Sequence, residues 1–248
     1  MNKLKNIPIL KDIVEFLYRN TIFRAEFNKF LKLSKNEDRF KISWSDKHPC
    51  LFDKTTNTEF DKHYIYHTSW AARKLRQINP EKHIDIGSSL FFSTIISSFF
   101  ETEYYDIRPA NIILNNFHPR KGNLLSLPFK SNSVLSLSCM HVIEHIGLGR
   151  YGDKLAPRDD IKAINELKRV MKKNGNLLFV VPIGLPKIQF NAHRIYSHEQ
   201  ILNYFKDFQI IEFALISDDP EVNGIIINPS NSILKKQKYG CGCYWLRK

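Results

Sequence analysis

His83-Ile84-Asp85-Ile86-Gly87-Ser88-Ser89 is the stretch that decides the fold. Residues 82–86 read as a first strand, and residues 89–100, apolar and rich in β-branched side chains, as the helix that follows it. In an open α/β sheet such a strand end faces the ligand, the glycine lets backbone approach it, and the next helix presents free N–H groups. A dinucleotide loop would carry three glycines where only Gly87 stands. Upstream, residues 64–78 predict a helix. Downstream, a second strand covers 103–106, a short helix or turn lies near 109–115, a short third strand covers 122–125, and a fourth covers 133–139. An amphipathic helix over 160–173 is stopped by Asn174-Gly175, and a fifth strand over 176–181 is stopped by Pro182. A helix over 197–205 carries Ser197 as its cap and Gln200 to complete a capping box. Residues 209–215, with 224–228 or 239–246, supply the closing strands. This alternation predicts an α/β fold with a doubly wound sheet covered on both faces.

Residues 9–33 differ in character. Leu10, Ile13, Val14 and Leu17, then Phe23, Phe27, Phe30 and Leu31, recur at helical spacing and predict one or two amphipathic helices. Residues 34–62 are polar and aperiodic. The expected organisation is therefore an N-terminal helical extension with its connector over 1–62 and the main domain over 63–248.

The chain has 248 residues, 43% of them hydrophobic, which suffices for a full core. No apolar run approaches the ~18 residues of a bilayer span, and the amino terminus shows neither an uninterrupted apolar segment nor a small-residue cleavage site. Those features predict a cytoplasmic protein, with the basic amphipathic extension as a means of peripheral contact at the inner membrane face. A net charge of +12 favours anionic partners. The four cysteines, Cys50, Cys139, Cys241 and Cys243, suit neither a disulfide framework nor a four-thiolate zinc site. Cys241 and Cys243 read as small residues on one face of a strand.

His141-Val142-Ile143-Glu144-His145 follows the fourth strand. If a helix begins near Met140, the spacing places His141, Glu144 and His145 on one face, at the strand's carboxyl end. Two imidazoles and a carboxylate there can abstract a proton or hold a metal ion. The literal H-x-x-E-H pattern also matches an inverted zincin, but Gly147, Gly149 and Gly152 end the helix that a peptidase needs. About twenty residues beyond the first strand, Asp106 closes the second, where an acid can accept hydrogen bonds from ribose hydroxyls.

Together these residues resemble the class I S-adenosylmethionine-dependent methyltransferases: the D-x-G-x loop at Asp85 to Ser88, the acid Asp106, the run Gly122 to Phe129, and the fourth strand leading into Val142-Ile143-Glu144-His145. More narrowly the chain is similar to an uncharacterised methyltransferase-like family of nematodes and bacterial surface-polysaccharide gene clusters. Asp106-Ile107-Arg108-Pro109, the run from Glu144 to Asp153, and Phe190-Asn191-Ala192-His193-Arg194 carry that similarity. The resemblance implies a Rossmann-like sheet. It places Asp85, Gly87 and Ser88 at the methionine part of S-adenosylmethionine, Asp106 and Ile107 at its ribose and adenine, and Asn123 and Leu124 at its adenine. Asn123 stands where the superfamily commonly has aspartate, and its amide oxygen can still accept from the adenine amino group.

Methyl transfer to a hydroxyl needs an aligned acceptor and a proton acceptor. His145 or His141, with Glu144, is the candidate base. Some superfamily members place a metal-binding E-x-x-E-H cluster after strand four, and by that resemblance His141, Glu144, His145 and the later His193 are expected ligands for a divalent ion tolerant of nitrogen. Arg150, Tyr151, Asp153, His193 and Arg194 are the expected acceptor-pocket residues, with an internal ion-pair network around Asp153 as their alternative role.

The function expected on this basis is O-methylation of a sugar in a surface glycan or in its nucleotide- or lipid-linked precursor. A non-catalytic Rossmann-like module binding a nucleotide or a polysaccharide-assembly partner is the alternative. The chain lacks an aromatic stacking platform or an arginine-rich tract for specific nucleic-acid binding. The terminal strand and the amino-terminal helices offer surfaces for a homodimer.

Overall fold

The computed structural model describes residues 8–36 and 38–248, and side chains from residue 12 onward apart from residue 37, so the expected apolar contributions of Ile9 and Leu10 lie outside the described side chains. The chain divides into two compact units, Met1–Glu59 and Phe60–Lys248. In the first, the stretch expected as one or two helices forms one, α1 (Pro8–Leu33). Residues 38–59 belong to the same unit as α1 and fold onto it. Trp44 packs on Phe23 and Phe27 at ring-centroid distances of 6.0 and 4.9 Å, and Arg19 donates to the Leu51 carbonyl at 2.9 Å. Aromatic packing gives this polar stretch a seat that its sequence does not announce.

The second unit holds α2 (Lys62–Ile78), β1 (Lys82–Ile86), α3 (Leu90–Ile96), β2 (Glu101–Asp106), β3 (Phe117–Lys121) and β4 (Val134–Met140). It continues with α4 (Asp159–Val170), β5 (Met171–Ile183), β6 (Lys187–Gln189), β7 (His193–Ile195), α5 (His198–Tyr204), β8 (Gln209–Ile216), β9 (Ile226–Ile227), α6 (Asn231–Leu234) and β10 (Gly240–Arg247). The main sheet has eight strands in the order β3-β2-β1-β4-β5-β10-β8-β9, and β6 pairs with β7 separately. β1 is parallel to β2 and β4, and β4 to β5, whereas β10 runs antiparallel to both β5 and β8. The doubly wound parallel half thus ends in a reversed strand inserted before β8.

Side-chain alternation along β5 explains the two-faced core. Leu177, Phe179 and Val181 join Ala163, Ile164 and Leu167 of α4 and Ile201 of α5 on one face. Leu178 and Val180 join Trp70, Ala71 and Leu75 of α2 and Phe92 and Ile96 of α3 on the other. The capping box of α5 is present, with Ser197 accepting from the Gln200 N–H and the Gln200 side chain accepting from the Ser197 N–H. Among the described residues, no helix is long and apolar enough to cross a membrane.

Several sequence expectations shift. The third strand lies at Phe117–Lys121, ahead of residues 122–125, which form a turn bridged between Asn123 and Ser126. Of the short helix or turn expected near 109–115, the turn forms, at Asn115 and Asn116 between the bridged Leu114 and Phe117. Helix α4 ends at Val170 rather than at Lys173, because Met171 already pairs with Val134 and the chain continues as β5 through Asn174-Gly175. Lys248 holds that early exit: its Nζ donates to the carbonyls of Lys168 and Met171 at 2.7 and 2.9 Å, while its own carbonyl accepts from the Asn174 N–H at 2.7 Å. Pro182 does not stop β5 either, since it sits opposite Cys241 in the register with β10.

Candidate functional site

At the carboxyl ends of β1, β2 and β4 a cavity of about 460 Å³ opens, within the range of ligand pockets. Gly87, Asp106, Ile107, Asn123 and Leu124 line one part of it, and His141, Val142, His145, Tyr151 and Asp153 line another. A larger depression of about 540 Å³ lies at the opposite strand ends, around Lys82, Val134 and Asn176. The first is the candidate site, because open α/β sheets place ligands beyond the carboxyl ends of their strands.

Gly87 takes φ +61°, and a Cβ there would come within 3.3 Å of Val142 Cγ2. Its N–H donates to the Tyr105 carbonyl at 2.8 Å, which fixes the turn beside the end of β2. Asp106 Oδ1 accepts from the Arg108 N–H at 2.7 Å, and Asn123 Oδ1 from the Leu125 N–H at 2.9 Å, so both polar side chains are oriented by local turns.

Asp85 and Ser88 are not on this wall, contrary to the sequence expectation. Strand alternation sends His83 and Asp85 to one side of β1, and Asp85 is wholly buried. The Ser93 and Ser138 hydroxyls donate to its two oxygens. Ser138 has spent its proton on Asp85, so His83 Nε2 donates to the Ser138 oxygen at 2.9 Å and His83 Nδ1 accepts from Ser136 at 2.8 Å. Burial pushes Asp85 up to about 6 against the pull of Ser138 and Ser93, and lowers His83 to about 3. Ser88 Oγ accepts from the Met140 N–H at 3.1 Å, a structural tie between the first loop and β4.

His141, Glu144 and His145 do meet, by a different route from a helix face. No helix starts at Met140. The chain turns at His141 with φ +56°, then makes a single 3-10 turn at Ile143–His145. Glu144 Oε1 lies 2.7 Å from His141 Nδ1 and 3.9 Å from His145 Nε2. Burial raises Glu144 to about 7, with His145 opposing, and lowers His141 to about 4. Glu144 is 1% exposed, so it supports the histidines from behind and cannot touch a substrate. His145 Nδ1 lies 2.6 Å from the Ala192 carbonyl, which places the ring proton there and leaves Nε2 as the acceptor. Burial lowers the pKa of His145, with Glu144 opposing.

The loop after His145 depends on Asp153, whose carboxylate accepts from the N–H groups of Gly147, Gly149 and Tyr151 at 2.7, 3.3 and 3.2 Å. Burial pushes Asp153 up, but those donors outweigh it and hold the carboxyl below its ordinary range. Gly147 is obligatory, since a Cβ would fall 2.1 Å from the Ala156 carbonyl oxygen. Tyr151 carries the guanidinium groups of Arg108 and Arg150 over its ring, at 4.7 and 5.2 Å. Arg150 also donates to the Ala192 carbonyl at 3.0 Å.

Arg194 is not an acceptor-pocket residue: it is 4% exposed, lies 3.6 Å from Asp160 and donates to the Ile146 carbonyl at 2.6 Å. The internal ion-pair alternative holds for it, with Asp160 in place of Asp153. The expected metal quartet does not assemble. His193 Nε2 is engaged with Gln189 at 2.6 Å and its ring centroid is 6.4 Å from that of His145. Among the described residues, the group of donor atoms close enough to share an ion is instead His63, His141 and Cys241. His63 and His67 carry a sequence signal in their H-x-x-x-H spacing, one helical turn, which the predicted helix over 64–78 hides by excluding His63.

Residues 130–236 match the family described as a Caenorhabditis protein of unknown function, DUF268. An uncharacterised protein of Methanocaldococcus jannaschii is 31% identical over 149 residues, or 59% of this chain, and the match spans 55% of that relative's length. A chain from the complex of the Haloferax volcanii Trm112 methyltransferase activator with a methyltransferase superposes with a TM-score of 0.51 at 15% identity, covering 75% of this chain and 90% of that one. The Burkholderia thailandensis 1,6-didemethyltoxoflavin-N1-methyltransferase, solved with its substrate and S-adenosylhomocysteine, gives 0.50 at 9% identity, covering 73% and 78%. The chain has the Rossmann-like α/β fold of the class I S-adenosylmethionine-dependent methyltransferases.

Proposed function

We propose that the protein is an S-adenosylmethionine-dependent O-methyltransferase. The observation that carries this reading is that Asp106, closing β2, and His145, beyond β4, line one cavity with Gly87. The fit of the cofactor rests on that Cβ-free turn at Gly87, on an acid at the end of β2, and on the apolar Ile107 and Leu124 beside Asn123 for a base. When bound, S-adenosylmethionine supplies a methyl group activated by its sulfonium.

His145 Nε2, with its ring proton committed to Ala192, takes the proton of the acceptor hydroxyl. Glu144 stabilises the imidazolium that results, at 3.9 Å from that nitrogen, and shares its oxygen with His141. The acceptor we infer is a sugar of a surface glycan or of its nucleotide- or lipid-linked precursor. Arg108 and Lys154 line the cavity and favour an anionic acceptor such as one bearing phosphate.

Calorimetry of the full chain with S-adenosylhomocysteine tests the cofactor half. Stoichiometric binding that Asp106→Ala weakens supports it. No binding, with the protein folded, overturns it.

A further inference from the structure

His63 and His67 stand one turn apart on α2, so their side chains leave the same face of the helix. That face meets His141, where the chain turns after β4, and Cys241 on β10. The His63 and His141 rings stack at 5.4 Å, His67 stands edge-on to His141 at 5.0 Å, and Cys241 Sγ lies 3.4 Å from His141 Nε2. One donor atom from each of His63, His141 and Cys241 lies within 4.8 Å of the other two.

We propose that His63, His141 and Cys241, with His67 as the fourth donor, bind a divalent transition-metal ion of the zinc type. This ligand set differs from the one the sequence suggested and stands independently of methyl transfer.

The tautomer of His141 is the first argument. Its Nδ1 proton goes to Glu144 at 2.7 Å, so Nε2 presents its lone pair toward the Cys241 sulfur. A carboxylate behind a ligating imidazole is the usual outer support of such an ion, orienting the ring and strengthening it as a donor. Spacing is the second. Zinc–nitrogen and zinc–sulfur bonds of about 2.1 and 2.3 Å in a tetrahedron separate the two donors by about 3.5 Å, close to what His141 and Cys241 show. All three donor atoms lie within 4.8 Å of one another, so no pair is wider than that edge by more than about 1.3 Å. His63 is only half-buried, so its ring can swing to close the gap.

A plain thiol-to-imidazole hydrogen bond accounts for His141 and Cys241 alone. It leaves His67 unexplained: Nδ1 of that ring is engaged with the His63 carbonyl at 2.7 Å, while Nε2 is fully buried without a partner. Buried polar atoms are costly when unpaired, and a shared cation would satisfy this one together with its neighbours. Imidazoles with a thiolate select zinc, cobalt or copper over magnesium or calcium. A closed site of this kind ties α2, the turn after β4, and β10 to one another.

The test uses the full chain, purified without a histidine tag or chelator. Metal analysis and zinc titration should show one tightly held ion per chain, and zinc should raise the thermal midpoint of chelator-treated protein. Glu144→Gln should weaken zinc by about 10-fold, Cys241→Ser and His63→Gln by more, and His193→Gln not at all. Cobalt loaded in place of zinc should show a thiolate charge-transfer band that Cys241→Ser abolishes. Absence of that band in the unaltered protein overturns the proposal even if the variants fold poorly. So do wild-type affinity in both the Cys241 and His63 variants, or a loss confined to His193→Gln.

Discussion

The Nδ1 of His145 and the carbonyl oxygen of Ala192 lie 2.6 Å apart, which commits the imidazole to one tautomer and turns its basic nitrogen toward Glu144 and the cleft. A base held this way loses its function when the ring is removed, without disturbing the Asp106 side of the cavity. His145→Ala should lower the rate of methyl transfer by about 10²- to 10⁴-fold, with S-adenosylhomocysteine affinity changed only slightly in calorimetry. Undiminished turnover would place the base elsewhere. Because burial lowers the pKa of His145, the acid limb of the rate profile should fall below pH 6.5, the ordinary imidazole value.

Asp106 and Gly87 should govern affinity rather than chemistry. Losing hydrogen bonds to a charged group costs about 1.5–3 kcal/mol, so Asp106→Ala should weaken S-adenosylhomocysteine by one to two orders of magnitude. Gly87→Ala combines a left-handed backbone with a Cβ 3.3 Å from Val142. A comparable loss is expected, measured by the same titration, and wild-type affinity in both variants would rule out this wall as the cofactor site.

Arg194 and Arg150 should separate by the measurement that detects them. Breaking the buried Arg194 and Asp160 pair by Arg194→Ala should cost about 3–5 kcal/mol in denaturant unfolding. Arg150→Ala removes an exposed group and should move stability by no more than about 0.5 kcal/mol. Equal stability losses would contradict the clamp assigned to Arg194.

His83 and Asp85 should leave opposite marks on acid stability. His83 titrates at about 3 in the fold against 6.5 ordinarily, so its contribution is fully present above pH 6.5 and is lost as pH falls toward 3. Asp85 is raised to about 6, so its protonated form favours the fold in acid and that contribution is lost as pH rises through 6. His83→Asn should therefore be destabilised at pH 8, with the gap to the unaltered protein narrowing between pH 6.5 and 4. A constant gap in urea midpoints across that range would show that His83 is not buried neutral.

The order of most helices and strands was legible because strands such as β1 and β4 stand out as buried runs between helical segments, but β3 was not, because Phe117–Lys121 buries only Phe117 and otherwise holds a proline and polar or basic residues. Strand β1 at Lys82–Ile86 and the capping box at Ser197 and Gln200 were placed to the residue. The end of α4 was not, because Asn174-Gly175 is a strong local stop signal that β-pairing and the grip of Lys248 override from a distance. At the site, Gly87, Asp106 and His145 could be named from their positions after strands, and Asn123 only from the resemblance, since the expected third strand covered it. Asp85 and Arg194 could not be told from ligands, since only burial reveals that their polar atoms are already engaged. The partnership of His63 with Cys241 was invisible for a simpler reason: a helix at one end of the unit and a strand at the other share no local pattern.

The placement of β10 between β5 and β8 carries a consequence for biosynthesis. As the ribosome delivers the chain, the sheet remains in two pieces, with the inner edges of β5 and β8 unpaired, until Gly240–Arg247 has emerged. Such edges invite pairing with other chains. A nascent chain stalled before Gly240 should therefore depend on chaperones, and it would also lack the Cys241 sulfur that lies against His141.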